Sequence, residues 1–220
     1  MTFIPHIYAE ETWKIASLNW EPYSGAEIEH QGKSIQKLRQ LLKKENISLI
    51  VEFYPWKRAK YLVKTEKDYL GIFPAWPEDV FEGAIVSPAI DWSEISIIKL
   101  SDNVVNFDSI DELFEKYPIG IVSTYIYPKV FTDAINKYPH NVAYAPDEYS
   151  LLKKLAAART TVAITDPKVM HYLAYKEGIS NLEIVRSVMQ KELVIAFRDD
   201  EENRIRLELL TRLIKESEKH

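Results

Sequence analysis

The sequence predicts an α/β protein of two lobes joined by a hinge of two crossover segments. Three observations lead there. From Trp13 onward, short β-branched or apolar runs alternate with segments of helical spacing, the pattern of a parallel sheet with right-handed crossovers. The alternation restarts after Leu100 with strands and helices of its own. Extended segments near Ile95 to Leu100 and Gln190 to Leu193 then lie where the chain would leave one unit and return to it, so the first lobe takes back the C-terminus. The expected division is residues 12–95 plus 194–220 for the first lobe and 96–193 for the second, each with its own sheet.

Trp13 to Leu18 reads as the first strand, left by the loop Asn19 to Gly25. Ser34 to Glu45 is a helix, with Ile35, Leu38, Leu41 and Leu42 on one face and lysines on the other. Ile47 to Phe53 is a β-branched second strand. Pro55 opens the next helix at its first turn, where its missing N–H costs nothing. Tyr69 to Ala75 is a buried third strand that delivers Phe73 and Trp76 to the sheet edge, and Gly83 to Trp92 is a loop towards the hinge.

In the second lobe, Ser109 to Glu112 is a capping box and Pro118 stops the helix that it starts. Strands at Ile119 to Val122, Val142 to Tyr144 and Thr161 to Thr165 alternate with helices that begin at Pro128, Asp147 and Pro167, the last ending near a Gly178 cap. Leu182 to Val185 and Leu193 to Phe197 are the final strands, and Glu201 to Glu218 a closing amphipathic helix.

Composition narrows the function. Apolar residues make up 46% of the 220-residue chain and charged residues 28%, which is ordinary for a globular protein with a substantial core. A net charge of -5 with no concentrated basic face argues against nucleic acid. The absence of cysteine excludes disulfides and thiolate chemistry, and five scattered histidines lack metal-site spacing, so no metal or cofactor is expected. No run approaches a membrane span. The start, MTFIPHIYAEE, reads either as the tail of a secretory signal cut near Ala9 or as a disordered N-terminus. No nucleophile elbow, phosphate loop or dinucleotide glycine series is present.

Several short motifs carry a resemblance: Trp20-Glu21-Pro22-Tyr23, Tyr54-Pro55-Trp56-Lys57-Arg58-Ala59, Gly71-Ile72-Phe73-Pro74-Ala75-Trp76 and Ser87-Pro88, with Ile119 to Val122, Thr165-Asp166-Pro167 and Leu193 to Arg198 in the second lobe. From Trp13 to about Leu213 the chain resembles bacterial extracellular solute-binding proteins of family 3, the amino-acid-type periplasmic binding proteins of ABC transporters. The resemblance implies a type II periplasmic-binding-protein-like fold that closes, without catalysis or cofactor, on a small molecule. It implies a periplasmic monomer with an ABC permease of the inner membrane as partner. The alternatives are a sensory ligand-binding module of the same fold and a dehydratase-like cleft enzyme, for which Glu21, Glu78, Asp79 and Asp166 are the available carboxylates.

The candidate ligand residues are Trp20, Tyr23, Phe73 and Trp76 at strand ends of the first lobe, Arg58 in the second helix, and Thr124, Tyr125 and Asp166 in the second lobe. Each also has a purely structural reading: aromatic plugs, a locally paired arginine, and a helix N-cap at Asp166. By resemblance, Asp166 matches the family's carboxylate for the ligand ammonium. The family's arginine for the ligand carboxylate would fall near Val80, and Pro77 to Phe81 holds no basic residue. Expected ligands are therefore small, polar and amine-bearing, with standard α-amino acids bound poorly.

Overall fold

A computed structural model describes residues 11–218, so the reading of Ile7-Tyr8-Ala9 as a cleavage site lies outside it. Strands β1 (Thr12–Ser17), β2 (Ser48–Phe53) and β3 (Gly71–Ala75) alternate with helices α1 (Lys33–Lys43) and α2 (Trp56–Thr65). β1 lies parallel between β2 and β3, as the βαβαβ order requires. Ile35, Leu38 and Leu42 of α1 are fully buried, so the helical stripe read from the sequence is the face that meets the sheet. The core beneath holds Trp13, Ile15, Ile72, Phe73 and Phe197.

The second alternation comprises α3 (Ile110–Lys116), β6 (Ile119–Val122), α4 (Lys129–Lys137), β7 (Val142–Ala145), α5 (Glu148–Ala156), β8 (Val162–Thr165) and α6 (Pro167–Lys176). β6 lies parallel to β7 and β8. Ser109 caps α3 as expected, its Oγ accepting the Glu112 N–H at 3.1 Å.

Two strands join the halves. β5 (Asp91–Leu100) begins earlier than the apolar run suggested, and β9 (Leu182–Arg198) merges the two final strands into one of 17 residues. They pair antiparallel along the whole of β5, from Asp91 opposite Leu193 to Leu100 opposite Leu182. The end of β9 also pairs with β3 and with a short strand, β4 (Ala84–Val86), inside the expected loop. The strand order is therefore continuous, β2-β1-β3-β9-β5-β8-β6-β7, which corrects the expectation of two separate sheets. The reason lies in the backbone. Two extended crossings that run side by side satisfy their N–H and C=O groups by bonding to each other. Around Asp91–Ile95 and Met189–Leu193 the two strands have only each other as strand partners among the described residues.

The closing helix α7 (Glu201–Ser217) lies on α1 and β9. Arg206 reaches Glu11 at 2.9 Å and Arg212 reaches Glu45 at 3.0 Å, tying the C-terminus to the first half. Gly71 makes the β3–β9 contact possible, because a Cβ there would lie 2.4 Å from the Ala196 carbonyl oxygen.

Candidate functional site

The site is built where strand ends of the two halves meet. After β1 the chain folds into a compact turn, with the Trp20 N–H on the Ser24 carbonyl at 2.7 Å and the Ser24 hydroxyl on the Leu18 carbonyl at 2.9 Å. Gly32, at φ +104°, lies against this turn, and a Cβ there would meet the Tyr23 carbonyl oxygen at 2.4 Å. So held, Trp20 and Tyr23 stack with centroids 4.6 Å apart. Beyond β3, Trp76 presents its edge to Trp20 at 6.1 Å and donates Nε1–H to Ser93 Oγ at 2.9 Å.

The facing half supplies Tyr125, Tyr127, Glu148 and Asp166. Tyr127 is fixed by a bond from the Val122 N–H at 3.0 Å and one to the Ile164 carbonyl at 3.1 Å. Trp76 lies edge-on to Tyr125 at 5.5 Å and to Tyr127 at 6.4 Å. Polar links cross the joint. Trp20 Nε1–H donates to Glu148 Oε1 at 2.7 Å, Tyr23 Oη–H donates to Asp166 Oδ2 at 2.8 Å, and Lys191 on β9 holds both oxygens of Glu78 at 2.5 and 2.6 Å.

The two carboxylates of the second half differ in what they accept. Asp166 caps α6 through Oδ1, taking the Lys168 and Val169 N–H groups at 2.8 and 3.1 Å, while Oδ2 takes Tyr23 and the Glu94 N–H at 2.9 Å. Glu148 accepts Trp20, Tyr125 Oη–H at 2.6 Å and Thr165 Oγ1–H at 3.5 Å, all on the single oxygen Oε1. None of these three donors uses Oε2. No lysine, arginine or histidine among the described residues lies within 4 Å of Glu148. On the other side of the joint, Asp79 is buried but paired, with Lys60 Nζ at 2.5 Å and Trp56 Nε1–H at 3.0 Å.

Burial sets the protonation of this cluster. It pushes the Glu148 carboxyl up to about 7, although the Tyr125 and Trp20 donors oppose the rise. Burial also raises Asp166 and Asp79, and holds the hydroxyls of Tyr23, Tyr125 and Tyr127 far above their usual range, so these remain neutral donors.

Two spaces remain in the joint. An inner pocket of about 20 Å³, room for one water, is lined by Trp20, Trp56, Trp76, Asp79 and Tyr125. Beside it lies an outer cavity of about 450 Å³, bounded by Phe53, Tyr54, Trp56, Tyr125 and Glu148, with Thr124 at its border. That is the size of a small-molecule site.

Of the residues singled out from the sequence, Trp20, Tyr23, Trp76, Tyr125 and Asp166 come together at the joint. Thr124 borders the outer cavity. Phe73 is fully buried in the core, and Arg58 is exposed, its guanidinium 5.8 Å from the Tyr54 ring centre. The cations nearest the turn of Pro77 to Phe81 are Lys60 and Lys191, each paired with an acid of that turn. Sequence reasoning passed over Glu148, which reads as an ordinary acid in a helix's first turn. The signal that points to it is its position, at a helix start of the second half like that of Asp166. Among the described residues no cluster of three or more His, Asp or Glu is placed to hold a metal ion.

No family model matches the sequence. No curated protein matches it either. Solved structures match its fold over almost the whole chain. A histidine kinase sensor domain with similarity to periplasmic binding proteins superposes with a TM-score of 0.77 at 13% identity, covering 96% of this chain and 92% of that one. An ancestral arginine-binding protein bound to arginine gives 0.76 at 14% identity over 94% and 92% of the two chains. The substrate-binding protein of an amino acid ABC transporter gives 0.71 at 12% identity over 94% and 93%. The chain thus has the fold of amino-acid-type solute-binding proteins.

Proposed function

We propose that the protein is a noncatalytic solute-binding protein that closes on a small polar, amine-bearing solute in the periplasm and, as a monomer, delivers it to an ABC permease of the inner membrane. Its two lobes are residues 12–95 with 194–220, and residues 96–193. They pivot on β5 and β9 where these strands have only each other. The observation that carries this reading is the joint itself: aromatic rings and buried carboxylates from both halves meet around a cavity of about 450 Å³, across a two-stranded connection. Three of the four acids named for dehydratase-like chemistry are engaged, Glu78 with Lys191, Asp79 with Lys60 and Trp56, and Asp166 with Tyr23 and three backbone N–H groups, which supports binding over turnover.

A thermal-shift screen of amines, amino acids, small peptides and organic acids tests the reading. A true ligand at 100 times its Kd adds about 2.7 kcal/mol of stability, and no stabilisation by any of these classes sinks it. The similarity to a histidine kinase sensor domain supports a second reading, a sensory module of the same fold. A kinase encoded in the same reading frame favours that reading, and a permease gene beside this one favours uptake.

A further inference from the structure

We propose that Glu148 is the counter-ion of the ligand: the solute is a cation whose ammonium or alkylammonium head rests against this carboxylate, among the rings of Phe53, Tyr54, Trp56 and Tyr125. The inference rests on the reading of the joint as a solute site and deepens it, since it moves the amine away from the position that resemblance assigns to it. Asp166 is already saturated. Its two oxygens accept four donors, two from the α6 backbone, one from the Glu94 N–H and one from the Tyr23 hydroxyl, two on each oxygen.

Glu148 is in the opposite situation. It is 5% exposed, borders the outer cavity, receives its side-chain donors Trp20, Tyr125 and the more distant Thr165 on one oxygen, and has no cation within ion-pair distance among the described residues. An isolated buried carboxylate is costly, and a ligand cation is the partner that removes the cost. The walls suit such a head, because the faces of Trp and Tyr rings attract ammonium groups and do so more strongly once water is excluded. The charged and titratable groups around Glu148 and its cavity are Asp166, Tyr54, Tyr125, Tyr127, Asp147 and Lys57. Lys57, in the first turn of α2, is the one cation of that set. Because burial holds Glu148 partly protonated near neutral pH, binding a cation must drive its proton off into solvent.

Calorimetric titration with choline, with butylamine and with the uncharged choline isostere 3,3-dimethyl-1-butanol tests this. At least one of the two cations should bind, and the isostere should not. Affinity for the cation should rise about tenfold from pH 6 to pH 8, and the binding heat should differ between phosphate and Tris as protons are released. Glu148→Gln, which keeps the acceptor for Trp20 and Tyr125, should bind about thirtyfold more weakly and lose the pH dependence. Its thermal melt, unchanged or higher, shows that the fold is kept. The proposal is overturned if neither cation binds at millimolar concentration, if the isostere binds as well, or if Glu148→Gln retains full affinity. Should the protein instead take an organic acid or amino acid with Glu148→Gln unaffected, the solute-binding reading stands and this inference alone falls.

Discussion

Two carboxylates stand on the same side of the joint, and each takes a hydrogen bond from an aromatic side chain of the facing half, yet their surroundings give them different work. Asp166 is a fastener. Both oxygens are committed, two backbone N–H groups of α6 depend on it, and Tyr23 locks the halves through it. Glu148 takes its side-chain donors on one oxygen and opens onto a cavity. Saturation of lone pairs, more than burial or charge, separates a structural acid from one left for a ligand, since both are buried and both are pushed upward in pKa.

The largest expected effect is at Asp166. Asp166→Ala removes a helix cap, worth about 1 kcal/mol, and strands the Tyr23 hydroxyl and the Glu94 N–H. Urea unfolding should show a loss of about 4 kcal/mol or more, and a loss under about 1 kcal/mol would erase the distinction drawn here.

Glu148→Gln should do the reverse. A carboxyl that ionises at about 7 in the folded protein and at 4.5 when free binds its proton more tightly when folded. Its contribution is fully present below about 4.5, declines as pH rises towards about 7, and is absent above that. The unliganded wild type should therefore lose on the order of 3 kcal/mol across this window, with Asp79 and Asp166 adding in the same direction. Glu148→Gln should be flatter with pH and more stable than wild type at pH 8.

Standard α-amino acids sharpen the comparison from the ligand's side. With no arginine in Pro77 to Phe81, a free carboxylate lacks a bidentate partner, a deficit of about 3 kcal/mol or over a hundredfold in affinity. Calorimetry with the twenty amino acids should find none that binds below about micromolar Kd, and a submicromolar one would refute this. If one does bind so tightly, loss of that affinity in Arg58→Ala would locate the replacement. Tyr23→Phe should have the smallest effect, about 1 kcal/mol in unfolding, because Asp166 keeps its three backbone donors.

Much of the fold was legible because periodicity is local. The α1 stripe, Pro55 and Pro167 at helix starts and the Ser109 cap are each decided within a turn or two of chain. The single strand β9 and the continuous sheet were not, because pairing partners some ninety residues apart decide them; Ile95 opposite Met189 is one example. The aromatic half of the site was readable, since Trp20, Tyr23 and Trp76 sit in short loops at strand ends. Glu148 was hidden, because nothing in a helix's first turn tells whether its acid faces water or a ring from another part of the chain, and the pairing of Asp79 was hidden because its partners Trp56 and Lys60 lie in a separate helix.

The most direct measurement is a carbon-13 NMR titration of the Glu148 side-chain carboxyl in the unliganded protein. A buried acid kept without a cation should titrate with a midpoint near 7, and the midpoint should fall once a cationic ligand is bound. A midpoint near the ordinary 4.5, unmoved by any cation, would contradict the account.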